Sequence, residues 1–209
     1  MKEWVEGLLP LERDLFFTLN GSESIFLDNV MWTISGRLIW IPVYLFILFL
    51  IVVFVLCDQV SSSLFKPLFE RFRPTHHPDF KELVDTVNDY RGGWYGFISG
   101  HATNSFGLAV FLSLVFRHRA VTLSTLLWAS INSYTRIYLG VHFISDIVAG
   151  AIAGTLLAML VYLAYAWVRE MVIKVPSGPA RTPYTIHGTA LASFIIIYLL
   201  IITIFSSLL

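Results

Sequence analysis

Residues 38–57 read LIWIPVYLFILFLIVVFVLC, twenty consecutive positions without a charged side chain. A helix needs about 20 mostly apolar residues to cross the hydrocarbon core of a bilayer, so this stretch alone names lipid as its solvent. Uncharged runs recur at 98–116, 120–135, 147–168 and 188–209. In lipid the backbone must satisfy its own hydrogen bonds, and these runs are far too long for barrel strands, so they read as helices.

The composition agrees. Of 209 residues, 56% are apolar and 13% charged, with a mean hydropathy of +0.73; a soluble domain carries about 25% charged residues. Basic and acidic residues balance at 14 each, which excludes the basic surface of a nucleic-acid binder. The single cysteine, Cys57, excludes an intramolecular disulfide and a multi-cysteine zinc site. The expectation is one all-α integral membrane domain over 1–209, with membrane lipids as partners, no nucleic acid, and the oligomeric state left open.

Six spans are expected, at about 24–49, 51–69, 99–116, 120–139, 143–168 and 188–208. Residues 24–66 as one helix would be roughly 60 Å long, twice the hydrocarbon thickness. Two crossings therefore require a tight apolar turn within 46–53, or a polar loop absent from the sequence. Asp58, Gln59 and Ser61 to Ser63 would then face protein. Residues 1–22 are too acidic for a signal peptide. They read as an amphipathic interfacial segment, interrupted at Pro10. The basic loop 117–119 and the linker bearing Arg169, Lys174 and Arg181 belong in the cytoplasm by the positive-inside rule. That places the charged loop region 66–98, and the 139–143 junction, on the outer face.

Three polar clusters fall on that face. Lys66 and Arg73 are seven residues apart, two turns on one helical face, with Pro74 marking the helix end; two aligned cations suit a phosphate. Ser99-Gly100-His101 opens a span: Ser99 caps, Gly100 lets backbone approach a ligand, and helix-start N–H groups bind anions. His142 and Asp146 are four apart, so they share a helix face, with Arg136 nearby. A carboxylate on one ring nitrogen frees the other to attack. The set lacks the carboxylates that magnesium or calcium prefers and a ligand-spaced zinc set. No metal and no cofactor is expected. Phosphoryl transfer needs charge stabilisation, a nucleophile and leaving-group protonation, and these residues supply each.

Lys-x6-Arg-Pro, Ser-Gly-His and Arg-x5-His-x3-Asp, in this order over about residues 58–150, resemble the type 2 phosphatidic acid phosphatase superfamily. The resemblance implies a metal-independent lipid phosphate phosphatase. His142 would be the nucleophile that becomes phosphohistidine, Asp146 its orienting partner, and His101 the acid for the leaving oxygen. Lys66, Arg73, Ser99, Gly100 and Arg136 would hold the phosphate. Ile98 stands where proline usually precedes Ser-Gly-His, and Thr135 where serine usually precedes the arginine; neither removes a titrating group. The Gly-Gly-x-Tyr-Gly-Phe and Arg-Ile-Tyr-Leu-Gly-Val-His runs are similar to bacterial undecaprenyl-diphosphatase-like members. The favoured substrate is therefore undecaprenyl diphosphate, hydrolysed at the outer face of a bacterial inner membrane. Phosphatidylglycerophosphate, phosphatidic acid and lipid A phosphates are the alternatives, and a lipid-phosphate transporter or non-catalytic lipid binder is the alternative of another class. A bell-shaped pH dependence follows if His142 attacks neutral and His101 acts protonated. Gly150 and Gly154, a Gly-x3-Gly pair, should let two helices of the bundle approach closely.

Overall fold

The computed structural model describes residues 9–20, 24–36, 40–173 and 187–205. The chain falls into two compact units, Met1–Val43 and Tyr44–Leu209. The first holds α1 (Leu9–Asn20) and α2 (Ile25–Ser35). Pro10 sits in the first turn of α1, where its missing N–H costs nothing, and Leu15, Phe16, Phe17 and Leu19 are all exposed on that helix. Ser24 caps α2 by accepting a hydrogen bond from the Leu27 N–H at 3.4 Å. Gly36 closes it, its N–H bonded to the Thr33 carbonyl. Eleven residues span only about 16 Å, so the expected crossing over 24–49 does not form.

The second unit carries the long helices: α3 (Ile41–Phe69), α4 (Gly100–Phe116), α5 (Arg119–Tyr138), α6 (Ile144–Ile173) and α7 (Gly188–Phe205). Helix α3 runs unbroken through 46–53, so the expected turn there is absent and no extra loop is needed. The chain breaks earlier, where Gly36 ends one helix and Pro42 presets φ in the first turn of the next. Over Val60–Phe65 the helix is π-wound, and the Lys66 N–H reaches back to the Ser61 carbonyl. Among the described residues, Ile41–Phe69, Ile144–Val172 and Gly188–Phe205 are long and apolar enough to cross a membrane. Helix α4 is apolar but has 17 residues, and α5 has 20 with several Ser, Thr and Asn side chains. The expected spans over 99–116, 120–139, 143–168 and 188–208 thus lie on α4 to α7, within about five residues at each end, and 51–69 is the second part of the longer α3. Residues 174–186, which hold most of the basic linker, lie outside the described residues.

Small residues set the packing. Val53, Cys57 and Ser61 recur every four residues and form the buried face of α3. Gln59 and Ser63 point outward and bond each other, so only part of that polar stretch faces protein, contrary to expectation. Gly107 of α4 has no room for a Cβ, which would stand 2.6 Å from the Cys57 sulfur. Against α6 the fit is closer still. A Cβ on Gly150 would lie 2.7 Å from the Ser99 carbonyl oxygen, and one on Gly154 would overlap the Thr103 carbonyl. The Gly-x3-Gly pair therefore serves packing inside the bundle. Two bonds fix the pair of helices in parallel: Ser99 N–H to the Asp146 carbonyl at 3.1 Å, and Arg117 to the Tyr162 hydroxyl at 2.9 Å. Farther from Ser99, Phe111, Val115, Val161 and Tyr165 form a buried core with Val53 and Cys57.

Replacing Gly154 with Ala should lower thermal stability by about 1–3 kcal/mol, the usual cost of overpacking, measured by unfolding in detergent. Gly93→Ala, where nothing lies within 4 Å of the added Cβ, should leave the melting temperature unchanged.

Candidate active site

Helix α3 stops at Phe69 because Glu70 turns left-handed, φ 43°. Arg73 is extended, φ −66° and ψ 156°, and lies off the helix. The Lys66–Arg73 spacing is therefore not two turns of one helical face, as the sequence suggests. Pro74 opens a short 3-10 turn, Pro74–His76, rather than ending the helix. The loop instead folds back on itself through an isolated antiparallel bridge between Phe72 and Tyr95. The Arg73 N–H bonds the Trp94 carbonyl at 3.0 Å, and the Gly96 N–H bonds the Arg71 carbonyl at 2.9 Å. In an extended chain, positions two apart share a side. Arg71 and Arg73 thus reach together toward the start of α6.

There they meet His142 and Asp146, which are 4% and 0% exposed. His142 precedes α6, so the pair does not share a helix face as expected. Asp146, in the first turn, reaches back instead, in the manner of an acidic side chain closing a capping box. Its Oδ2 accepts the Phe143 N–H at 3.0 Å and faces His142 Nδ1 at 3.3 Å. Its Oδ1 accepts a 2.7 Å bond from Arg71, which also bonds the Ser145 hydroxyl at 2.7 Å and lies 4.3 Å over the Phe143 ring. On the other side of the imidazole, Arg73 Nη1 lies 3.1 Å from Nε2. The same guanidinium bonds the Val141 and Tyr95 carbonyls, each at 3.2 Å. An arginine only donates. Nε2 is consequently the acceptor, the proton is on Nδ1, and it is donated to Asp146. The nitrogen with the free lone pair is the one facing the cation.

Burial holds the His142 imidazole below its ordinary pKa, and the nearby Arg73 charge adds to this. The bond to Asp146 pulls the other way and does not overcome it. Burial and the charge of Arg136 likewise lower Arg73, which stays a cation at any physiological pH.

The remaining predicted residues surround this pair. Ser99 is buried and caps α4, its hydroxyl accepting the Ala102 N–H at 3.4 Å. A Cβ on Gly100 would stand 3.1 Å from the Ser61 hydroxyl and 3.9 Å from Lys66 Nζ, so Lys66 comes up against the helix start. Lys66 and Arg73 line one cavity of about 670 Å³ with Ser62, Pro67, Glu70, Gly93, Trp94 and Tyr95. His101 is exposed in the first turn of α4, and the charges of Arg136, Arg73 and Lys66 all act on it. Arg136 ends α5; its Nε donates to the Thr135 hydroxyl at 3.1 Å, and Thr135 donates to the Asn132 carbonyl. The threonine hydroxyl at the family's serine position is thus in use.

Two positions in contact with this pair escape the sequence reading. Arg71 sits inside the first motif, and an alternating Arg-Phe-Arg was its only signal. Gly96 is buried against the pair. A Cβ there would lie 3.1 Å from the Arg73 side chain, 3.2 Å from Asp146 Oδ2 and 3.3 Å from His142 Nδ1.

A histidine with its lone pair on an arginine, a buried aspartate behind it and further cations around it have the chemistry that phosphoryl transfer needs, in a helical membrane protein. The chain belongs to the PAP2 superfamily, whose sequence model matches residues 34–170, and it is a lipid phosphatase of that metal-independent family. A lipid A 4′-phosphatase of Porphyromonas gingivalis is 43% identical over 183 residues, covering 79% of this chain and 78% of its own. One from Bacteroides thetaiotaomicron is 39% identical over 168 residues, covering 72% and 75%. A transmembrane PAP2-type phosphatidylglycerolphosphate phosphatase from Bacillus subtilis, known from its crystal structure, aligns with a TM-score of 0.49 at 23% identity, over 75% of this chain and 77% of that one.

The acid limb of kcat/KM should fall below the ordinary imidazole value of about 6.5, because activity is lost as pH drops through the lowered pKa of His142. Arg71→Ala should move that limb to higher pH, since an Asp146 freed of its cation stabilises the imidazolium better, and should cost about ten-fold in rate. Arg71→Lys should keep the limb near its wild-type position. A pH–rate profile of the three proteins checks this.

Proposed function

We propose that this protein removes the 4′-phosphate of lipid A, a phosphorylated and acylated glucosamine disaccharide. The observation that carries the chemistry is the Arg73–His142–Asp146 line, which presents a neutral, oriented Nε2 beside a cation. The substrate rests on the two relatives that bear the lipid A 4′-phosphatase name, 43% and 39% identical. They favour lipid A over undecaprenyl diphosphate, the lipid that the flanking glycine and aromatic runs suggest.

In this reading the phosphate enters between Arg73 and His142, with Lys66, Arg136 and the Gly100 backbone on its other oxygens. His142 Nε2 attacks phosphorus in line. The bond from phosphorus to the sugar oxygen breaks, and His101 gives that oxygen its proton. Asp146 stabilises the imidazolium through the Nδ1 proton. A water then attacks the phosphohistidine, His101 takes its proton, the P–N bond breaks and inorganic phosphate leaves. Trigonal-bipyramidal charge is met by fixed cations, which is the main form of catalysis open to phosphoryl transfer. The site faces away from the cytoplasm, on the side opposite the basic Arg117–Arg119 loop.

Purified protein in detergent with EDTA should release phosphate from lipid A faster than from undecaprenyl diphosphate, phosphatidylglycerophosphate or phosphatidic acid, and His142→Ala should release none. Retention of activity by His142→Ala would overturn the mechanism, and a preference for another lipid would overturn the substrate. The orientation has its own check. Cys57 is buried, so cysteines introduced at Asp79 and Arg117 can be read singly. An impermeant maleimide applied to intact cells should label Asp79→Cys and spare Arg117→Cys.

A further inference from the structure

The cavity that holds Lys66 and Arg73 carries two groups a phosphate has no use for. Trp94 is 66% exposed. Its backbone is pinned by the bond from Arg73, and its ring leans on His76 and Phe72, at centroid distances of 4.9 and 6.4 Å. The indole therefore keeps a fixed place next to the phosphate-binding arginine, with most of its surface open. Glu70 is the other. Among the described residues its carboxylate makes no hydrogen bond and no ion pair, not even with Lys66 in the same cavity. An unpaired carboxylate repels a bare phosphate. It does accept hydrogen bonds, and so suits a ligand that brings hydroxyl or amide donors along with its phosphate.

A flat, rigid aromatic face and a free acceptor beside a cationic phosphate site match a sugar phosphate. One face of a pyranose ring presents C–H bonds to the negative face of an aromatic ring, and its edge presents donors. Polar groups placed to receive such donors discriminate strongly against ligands without them. We propose that Trp94 and Glu70 form a sugar subsite at the mouth of the phosphate site: the indole stacks on the hexosamine ring that bears the scissile phosphate, and the Glu70 carboxylate accepts from a ring hydroxyl or amide. The inference rests on the lipid A reading above. It goes further in assigning headgroup selectivity to two residues outside the phosphate machinery.

The experiment compares kcat/KM for lipid A with that for dihexanoyl phosphatidic acid, which presents a phosphate without a sugar. Trp94→Ala should lower the lipid A to phosphatidic acid ratio by about five- to ten-fold, the worth of one aromatic contact. Trp94→Phe should hold the ratio within about two-fold of wild type, since the aromatic face is kept. Glu70→Gln, which keeps shape and removes charge, should lower the ratio several-fold. If Trp94→Ala depresses both substrates equally, the indole is an interfacial anchor of the kind common at membrane surfaces, and the proposal fails. Should Trp94→Ala not fold, Glu70→Gln decides alone, and an unchanged ratio overturns the subsite. A wild-type protein that cleaves phosphatidic acid and not lipid A overturns the proposed function, and this inference with it. A wild type that cleaves lipid A with a ratio indifferent to both residues overturns the subsite only.

Discussion

A carboxylate with no solvent exposure must be compensated or it does not stay ionised. Asp146 is that carboxylate, and its two oxygens are shared out. One takes the Arg71 guanidinium; the other takes the Phe143 N–H and faces the His142 ring. The partners come from two stretches of chain, the loop after α3 and the residues just before α6. Satisfying the buried charge therefore ties the loop after α3 to the start of α6 and sets the ring angle of His142 in the same act. The Asp146 main chain adds a third tie, its carbonyl accepting from Ser99 at the cap of α4. Three helix ends converge on one residue, and the glycines of α6 let the helices come near enough for it.

This convergence explains why the parts are small where they meet. Gly150 and Gly154 stand where a side chain would press on the backbone of α4 or its cap, Gly96 where it would press on Arg73, Asp146 and His142, and Gly100 where it would meet the Ser61 hydroxyl. Packing of this kind is less about apolar area than about distance. Many large apolar side chains lie farther along the helices, in the core around Phe111 and Tyr165, or on exposed outer faces, while Phe143 and Ile98 are apolar neighbours at the site itself. Rigidity around His142 comes from backbone bonds and charge pairs, and cohesion in the distant core comes from aromatic packing.

Much of this was legible in the letters. Charge-free runs located helices α4 to α7 because lipid tolerates few charges. The three motifs were placed at one membrane end by counting crossings. The first helices depart from expectation because punctuation outweighs length: Gly36 and Pro42 are the stop and start signals, and a uniformly apolar run from 41 offers no place to turn. Two spacings were read as helical and are not. Lys66 to Arg73 is a helix end, a left-handed residue and a bridge. His142 to Asp146 is a reach back across a helix start. Spacing reports which residues meet, but different backbones satisfy the same spacing. The single Arg-Phe-Arg alternation at 71–73 is too short to mark an extended segment where the sequence suggests a helix. The lipid is beyond reach for another reason, since the proposed role of the three motifs is to hold the phosphate, a group that all these lipids share.

The antiparallel bridge at Phe72 and Tyr95 also divides labour along the loop. Above it, Thr75 and Arg91 bond each other through side chain and main chain, so the chain between them leaves and returns at a closed neck. Lengthening such a closed excursion costs little, about 0.6 kcal/mol per doubling, and does not move the arginines below the neck. Within the excursion, His77 and Phe80 pack on Phe143, and Val84 and Asp85 lie against Gly140, so residues 76–90 can lengthen between those contacts while the contacts themselves stay. A fold built this way can vary the free part of one surface loop and keep the residues around His142 and Asp146 in place.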